Sequence, residues 1–244
     1  LADRHLRSIS DFVDSKECFP TVDISGGVNY FLWDARHKKG CRFTNTLHGT
    51  SNTCERDLNQ FPIFVRNNGA LSFINKVLDK CKGTLNTQVS GQTPFGFVST
   101  YRGTANPAWT DMYKVVFSKA TCEHAGTPDR NGKFRVLSAM TVLPPAVVCT
   151  QSYLVGGAYN TKEEADNFMA YLSTKFARYL MLQTITSQDL SPEKFMFVPT
   201  EDFTSNSDIC WTTNDIPNID RQLFDKYGIT DAERAVAENT IKEM

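Results

Sequence analysis

The amino-acid sequence predicts an α/β (α+β) fold in which a mixed sheet packs against one long helix and two short helices close the chain. Strand-like apolar runs occur both near the beginning and in the middle of the 244 residues. A helix with a clear start signal follows them, and two more helix signals occupy the last thirty residues. Strands and helices are thus interspersed, as in mixed folds.

The first two strand candidates lie at residues 9–13 and 27–34. The second is almost entirely apolar, so we expect it to be buried on both faces of a sheet. Three further candidates are found at residues 113–118, 133–142 and 147–155. Asn131-Gly132 is typical of the tight turn that would join the first two of these three as a hairpin.

Helix signals follow the rules of capping. Asn68 is expected to begin a helix that runs to Lys82. Thr161 and Glu164 form a capping box, and apolar residues at helical spacing continue to Gln183 as one helix. The two short C-terminal helices are indicated by Pro217 to Tyr227 with its stop at Gly228, and by a second capping box at Thr230 and Glu233.

Composition excludes several classes of protein. With 41% hydrophobic and 22% charged residues the chain is neither disordered nor fibrous. The longest apolar stretch, residues 142–149, is too short to cross a membrane and contains two prolines, so no membrane partner is expected. Seven cysteines without a CxxC pair indicate the reducing cytoplasm. Cys122 and His124 lie close together, but without a second ligand pair no metal site is expected.

Charge is divided unevenly along the chain. Residues 1–198 contain 22 Lys and Arg against 17 Asp and Glu, whereas residues 199–244 contain 4 against 10. A basic body with an acidic tail suits a protein whose body touches a polyanion, although unrelated domains also show this pattern. The long segment between Asn86 and Thr110 is rich in Gly, Pro, Thr and Ser and is expected to form surface loops, where binding residues tend to lie.

A series of short motifs extends along the whole chain. In order they are Asp11-Phe12, Cys18-Phe19-Pro20, Gly26 to Asp34, Asn67-Asn68, Pro94 to Phe97, Arg102-Gly103, Cys149 to Val155, Lys162 to Tyr179, Phe197-Val198-Pro199, Asp202-Phe203, Tyr227 to Thr230 and Ile241 to Met244. Together these motifs resemble the part of bacterial adenine-specific DNA methyltransferases, from type II restriction-modification systems, that follows the catalytic motif of those enzymes.

The resemblance implies a DNA-reading fragment whose catalytic domain lies ahead of Leu1. Such enzymes take the adenine out of the duplex and hold it by stacking and polar contacts. Phe19 matches the family's stacking residue, although it also fits a core phenylalanine at a strand turn. No Asn-Pro-Pro-aromatic motif precedes it, and Asn106-Pro107 comes too late in the chain and lacks the second proline.

The fragment alone is therefore expected neither to methylate DNA nor to bind S-adenosylmethionine. Gly156-Gly157 lies between a predicted strand and a predicted helix, where a cofactor loop would lie. It lacks the GxGxxG spacing and a downstream acidic partner, so S-adenosylmethionine and the catalytic residues belong to the upstream catalytic domain of the parent chain. That domain and double-stranded DNA are the expected partners.

Target recognition is the work left to this fragment. Loop side chains read base edges, while Lys and Arg fix the register on phosphates. The first candidates are Thr93, Phe95, Thr100, Tyr101 and Arg102. The second are Lys133 and Arg135 on the predicted hairpin and Lys175 and Arg178 on the polar side of the Thr161 helix. Each basic residue, taken singly, is as readily a solvated surface charge.

Three regions are expected: the tail of the catalytic domain at 1–40, the target-recognition domain at 41–198, and an acidic helical extension at 199–244. One alternative is a type I-like specificity subunit, which would require two tandem recognition domains, and no duplication is visible. Another is a nuclease fragment, which would need carboxylates and a lysine on adjacent strands to hold Mg²⁺, and no convincing set is present.

Overall fold

A computed structural model describes residues 3–22, 24, 26–47, 49–89, 95–97, 101–104, 107–122, 128–147, 149, 152–211 and 215–244, without the side chains of residues 95–108. The predicted mixed α/β class is confirmed. Nine strands, five α-helices and several short 3-10 turns are present in this part of the chain. None of these helices combines the length and the apolar character of a membrane-spanning segment.

The first sheet contains four strands in the order β2-β1-β3-β4. The strands are β1 (Leu6–Phe12), β2 (Val28–Trp33), β3 (Cys41–Leu47) and β4 (Thr50–Arg56). β1 runs parallel to β3 and antiparallel to β2, whereas β3 and β4 form an antiparallel hairpin. The sheet therefore continues across the predicted boundary at residue 40.

β2 lies where the second strand was predicted, but the expectation that it is buried on both faces is wrong. It is an edge strand, and all its residues except Val28 are exposed. The apolar pattern correctly indicated a strand. Burial depends on a neighbour that the described residues do not provide.

The second sheet contains β7 (Tyr113–Ser118) at its centre, flanked by β8 (Met140–Leu143) and β9 (Tyr153–Tyr159). Both pairings are antiparallel. The predicted tight hairpin between the first two of these strands is wrong, because residues 119–139 separate them and the turn at Asn131-Gly132 lies within that connection. β8 begins later than expected, however, since Phe134 instead bridges to Ile241. A separate two-stranded hairpin, β5 (Phe95–Phe97) with β6 (Tyr101–Thr104), lies in the segment predicted to be loop.

Gly156-Gly157 lies inside β9 rather than in a loop between a strand and a helix. A Cβ atom on Gly156 would stand 2.7 Å from the ring of Phe117 and 2.8 Å from the ring of Phe168. Glycine thus allows β9 and the following helix to approach closely, which explains this glycine by packing.

The described residues also form five α-helices: α1 (Leu71–Lys80), α2 (Lys162–Ser173), α3 (Lys175–Leu182), α4 (Ile216–Tyr227) and α5 (Asp231–Thr240). Both predicted capping boxes are present, at the start of α2 and of α5. Gly228 ends α4 in the left-handed conformation with φ of 68°, as expected of a C-terminal glycine.

The helix near Asn68 begins differently from its prediction. Asn67 caps the opening 3-10 turn, because its side chain accepts a hydrogen bond from the N–H of Gly69. Asn68 is buried instead, and its amide donates to the carbonyl oxygens of Phe43 and Asn52, each at 3.0 Å. It thereby joins α1 to the first sheet.

The single long helix predicted after Thr161 is wrong, since the chain breaks it at Thr174. Thr174 has extended backbone angles, φ −66° and ψ 152°, and its hydroxyl caps α3 at the N–H of Ala177. The carboxylate of Asp220, from α4, accepts the N–H groups of Lys175 and Phe176 at 2.9 and 2.8 Å. A residue distant in sequence thus satisfies the donors that the break exposes.

One hydrophobic core joins most of these elements. It contains residues of α1, the second sheet and all the later helices, and Phe73 contacts the rings of Phe176, Tyr179 and Phe224. α4 belongs to this core, because Ile219, Leu223 and Phe224 are fully buried in it. The acidic C-terminal region is thus packed onto the body.

Candidate nucleic-acid interface

Phe19 lies in a turn beyond the carboxyl end of β1, with its side chain facing outward. It is 51% exposed, so it is not the core phenylalanine that the sequence also allowed. Ser15, itself buried, holds the turn from inside. Its hydroxyl donates to the carbonyl oxygen of Val22 at 3.0 Å and accepts the N–H of Ile24 at 2.9 Å. An outward aromatic face on a hydrogen-bonded turn is therefore available for stacking.

Near the end of β1 the buried carboxylate of Asp11 forms an ion pair with the partly exposed side chain of Arg66. Nε and Nη2 of Arg66 contact the two carboxylate oxygens of Asp11 at 2.6 and 2.9 Å. The remaining donors of Arg66 reach the carbonyl oxygens of Gly26 at 2.8 Å and Phe12 at 3.0 Å. Asn45, from β3, donates its amide to Asp11 at 3.2 Å. The cluster ties two strands and two loops together.

Gly27 fits tightly against this cluster. Its φ is 76°, and a Cβ atom there would stand 2.1 Å from the carbonyl oxygen of Phe12 and 2.6 Å from Nη2 of Arg66. Only glycine combines this backbone conformation with this close approach. The sequence placed Gly27 at the start of the predicted strand 27–34 and did not indicate the ion pair beside it.

A cavity of about 420 Å³ opens beside the cluster, between the first sheet and the segment after α3. Its volume falls in the range of small-ligand sites, about 300–1,000 Å³. Polar side chains come from both walls, namely Asp11, Asn29, Asn45, Arg66, Asn67, Gln183, Thr184, Thr186, Lys194 and Thr240. Amide groups of this kind present a donor beside an acceptor, the arrangement with which Asn and Gln recognise base edges.

Lys194 contributes the cationic side chain of the far wall. Its ammonium group donates to the carbonyl oxygen of Thr184 at 2.8 Å and to the hydroxyl of Thr186 at 3.3 Å. Burial lowers the pKa of Lys194 from its usual value. Neither Asn45, Arg66, Gln183 nor Lys194 was predicted from sequence, because their convergence depends on elements that are far apart along the chain.

The loop predicted to read bases is partly described. Phe95, Tyr101 and Arg102 lie in the β5–β6 hairpin, but their side chains are outside the described part of the structure. Thr93 and Thr100 lie outside the described residues altogether. A hairpin is a more rigid support for binding side chains than the irregular loop that was expected.

Lys114 anchors the chain between this hairpin and the second sheet. Its side chain is fully buried, and its ammonium group lies 2.7–3.3 Å from the carbonyl oxygens of Trp109, Thr110, Met112 and Pro144. Burial lowers the pKa of Lys114. A lysine in a strand usually points to solvent, so the sequence offered no signal of this role.

The second group of basic candidates divides in two. Arg135 is exposed and Lys133 is partly exposed, in a turn where Asp129 accepts the N–H of Lys133. Lys175 is mostly covered and pairs with Glu243. Lys133 and Arg135 therefore offer more accessible surface to a polyanion than Lys175.

Arg178 is removed from the candidates by its environment. It is 1% exposed, and its guanidinium donates to the carbonyl oxygens of Ser173, Thr174 and Arg135 at 2.9, 3.2 and 3.1 Å. The predicted DNA contact of Arg178 is wrong. The helix breaks at Thr174, and Arg178 donates hydrogen bonds to the carbonyl groups that the break leaves without helical partners. Its role is structural.

In the part of the chain that the structure describes, no three His, Cys, Asp or Glu side chains converge on a common point as metal ligands would. Cys122 lies within this part, whereas Glu123 and His124 lie outside it. No protein-family model matches the sequence, and no curated protein is similar enough to stand as a relative.

Proposed function

We propose that this chain is the DNA-recognition part of a site-specific adenine methyltransferase of a bacterial restriction-modification system. The observation that carries the proposal is the half-exposed ring of Phe19 on its hydrogen-bonded turn beyond β1. It combines with the resemblance of the motifs along the sequence, in which Phe19 matches the residue that stacks on the target base. We expect the protein to carry out this function in the bacterial cytoplasm.

Stacking requires a flat face that is accessible before the base arrives. A ring buried in the core would have to move, at a cost in packing, whereas Phe19 presents its face without rearrangement. Base–aromatic stacks contribute about 1–3 kcal/mol each. Phe19 would help to hold the extruded adenine in this way, while polar contacts to the base come from the catalytic domain.

We assign recognition of the DNA base sequence to the β5–β6 hairpin. The hairpin is followed by a 3-10 turn at Pro107–Asp111, where Lys114 binds the carbonyl oxygens of Trp109 and Thr110. A support fixed in this way limits the movement of the side chains it carries, which favours specific contact with base edges. Lys133 and Arg135 would add phosphate contacts.

S-adenosylmethionine supplies the methyl group in the complete enzyme, and its binding is assigned to the catalytic domain. The residues of this chain would bind the duplex, set its register and stack on the extruded base. Methyl transfer is thus expected only when both parts are present, and the chain alone is expected to be inactive.

The direct test is binding of a fluorescent DNA duplex, measured by anisotropy at several salt concentrations. The affinity should be weak, because the catalytic domain's share of the interface is missing. Since phosphate contacts release counterions, the affinity should also fall steeply between 50 and 200 mM salt. A plot of the logarithm of the association constant against the logarithm of the salt concentration should have a slope of about −0.9 per phosphate contact. The Lys133→Ala and Arg135→Ala double variant should reduce that slope by about 2. Lys162→Ala is the control, because Lys162 is an exposed cation on α2 paired with Asp166.

Binding that is equally weak at all salt concentrations, or a slope that the double variant leaves unchanged, would argue against this DNA surface. Isothermal calorimetry provides a second measurement. Tight stoichiometric binding of S-adenosylmethionine to the 244-residue chain would contradict the assignment of the cofactor to another domain.

A further inference from the structure

We propose that the 420 Å³ cavity beside Asp11 binds a free nucleoside monophosphate whose base carries an amino group. The cavity lies where the parallel strands β1 and β3 both end, and open α/β sheets usually bind ligands at this end of their strands. Phe19 is not part of the cavity wall, so this site is separate from the stacking surface assigned to the extruded adenine. The proposal goes beyond the proposed function and does not depend on it.

Two buried amide side chains reach the cavity from opposite walls, and hydrogen bonds fix their orientations. The NH2 group of Asn45, on β3, donates to the carboxylate of Asp11 at 3.2 Å. The NH2 group of Gln183, which follows α3, donates to the carbonyl oxygen of Tyr179 at 2.8 Å. Carboxylate and carbonyl oxygens only accept hydrogen bonds, so each amide must turn its NH2 group toward them. Both amide oxygens are then left for other partners.

Neither of these amide oxygens accepts a hydrogen bond from another residue in the part of the chain that the structure describes. A buried carbonyl oxygen without a donor destabilises a protein, and a ligand that donates to both walls removes this effect. The two hydrogens of an exocyclic amino group, as in adenine and cytosine, can supply both hydrogen bonds. Asn67 adds a donor for the base, because its oxygen accepts the N–H of Gly69 and its NH2 group lines the same cavity.

Apolar side chains form much of the remaining wall. Ile63 and Phe64 come from the segment before α1, Phe134 from the connection before β8, and Ile185 from the segment after α3. Small-ligand sites typically combine apolar walls with a few polar groups that fix the orientation of the ligand. A nucleobase matches this combination, because its faces are apolar and its edges carry the donors and acceptors.

Lys194 supplies the charge that a phosphate group requires. Among the described residues its ammonium group donates only to uncharged acceptors, the carbonyl oxygen of Thr184 at 2.8 Å and the hydroxyl of Thr186 at 3.3 Å. An ammonium group has three donors, so one is left for an anion. The other charged residues of the wall, Asp11 and Arg66, pair with each other. The wall therefore has an excess of one positive charge.

A nucleotide within a DNA strand fits this wall less well than a free one. It has a phosphate diester on each side of its sugar, whereas the described part of the wall has one cation outside an ion pair. Its neighbours in the strand would also have to leave the cavity on both sides. A free nucleoside monophosphate has one phosphate group and no such connections.

The test is isothermal titration calorimetry of the 244-residue chain with two matched pairs of nucleotides. IMP differs from AMP, and UMP from CMP, in that a carbonyl oxygen replaces the amino group. At least one of AMP and CMP should bind with a stoichiometry of one, and its counterpart at least about tenfold more weakly, because its carbonyl oxygen would face the two amide oxygens. The corresponding nucleoside should also bind at least about tenfold more weakly, because it lacks the phosphate group that contacts Lys194.

Two variants assign these preferences to the cavity wall. Gln183→Leu removes the acceptor of the far wall and should remove most of the preference for the amino nucleotide. Lys194→Met should weaken binding of the nucleotide about tenfold and leave that of the nucleoside unchanged. Lys162→Met is the matched control, because Lys162 lies on α2 outside the wall. Thermal unfolding shows whether each variant is folded, and comparison of nucleotide with nucleoside in the unchanged chain tests the phosphate contact if Lys194→Met is not.

Equal affinity within both matched pairs would overturn the proposal, and so would the absence of binding by all four nucleotides. A bound nucleotide that a short DNA duplex displaces would also overturn it, because the cavity would then belong to the DNA surface. Nucleotide binding by a chain that does not bind DNA would support this inference and reject the proposed function. DNA binding by a chain that binds none of the four nucleotides would do the reverse.

Discussion

Nε and Nη2 of Arg66 donate hydrogen bonds to the two carboxylate oxygens of Asp11, at 2.6 and 2.9 Å. Asp11 is 4% exposed, so removal of Arg66 would leave its carboxylate buried without a cationic partner. This pair connects β1 to the segment that precedes α1. It lies on the wall of the 420 Å³ cavity.

Arg66→Ala should reduce the free energy of unfolding by about 3 kcal/mol, because breaking a buried pair leaves a buried charge. Urea unfolding of the isolated chain measures the loss. The matched control is Arg4→Ala, since Arg4 and Asp57 form an exposed pair at 3.7 Å and such pairs contribute about 0–1 kcal/mol. If the two substitutions lower the free energy of unfolding equally, the pair between Asp11 and Arg66 stabilises the fold no more than an exposed pair does.

Phe19→Ala should slow methylation by the complete enzyme by a factor that corresponds to about 1–3 kcal/mol, because the stack on the extruded base is lost. The stability of the chain should change little, since half of the ring is already exposed. Phe19→Tyr keeps the aromatic face and should restore most of the rate. Normal methylation by the alanine variant would refute the role assigned to Phe19.

Arg102→Ala should reduce discrimination between the target sequence and a single-base variant of it by about 1–3 kcal/mol, as expected for a lost bidentate contact to a base edge. The measurement is the ratio of methylation rates on the two duplexes, with Lys133→Ala as the control. A phosphate contact would instead weaken binding to both duplexes equally. No change in either quantity would remove the hairpin from the recognition surface.

Lys114→Met should destabilise the chain by about 2 kcal/mol or more, because buried carbonyl groups lose their donor while the side chain keeps its approximate size. The base of the hairpin should become more open to proteolysis than α1 does. Lys119→Met, on a lysine at the end of the same strand region, serves as the control. If Lys114→Met is cleaved at residues 107–112 no faster than the unchanged chain, Lys114 does not anchor this segment.

Glu233 lies at the start of α5, and its protonation should make the free energy of unfolding depend on pH. Burial alone would raise its pKa, but hydrogen bonds from Lys76 and Thr230 lower the pKa of Glu233 from 4.5 to about 2. A carboxyl group with a lowered folded-state pKa stabilises the fold above pH 4.5, and this contribution is lost as the pH falls toward 2.

Glu233→Gln should therefore lower stability at pH 7 by about 1 kcal/mol and should flatten its decline between pH 4.5 and 2. Thermal unfolding across that range measures both effects. Glu163→Gln is the matched control, since Glu163 lies in the first turn of α2, whereas Glu164 completes that capping box. A steep decline that persists unchanged in Glu233→Gln would assign the pH dependence to other groups.

Local patterns were sufficient for several elements of the fold. The capping boxes at Thr161 and Thr230 and the stop at Gly228 were predicted correctly, because each depends on residues within one or two helical turns. The strand at β2 and the turn that presents Phe19 were also visible in the order of apolar residues and glycines. These signals required no knowledge of distant contacts.

Tertiary contacts decided the features that local patterns missed. The helix breaks at Thr174 because Asp220, on α4, accepts the first N–H groups of α3, and Arg178 takes the carbonyl groups that α2 leaves open. The same contacts bury Arg178, whose charge in the sequence indicated a surface residue. The cavity beside Asp11 likewise depends on side chains from segments far apart along the chain. Periodicity and capping act over a few residues, whereas burial and charge pairing depend on which distant segments meet.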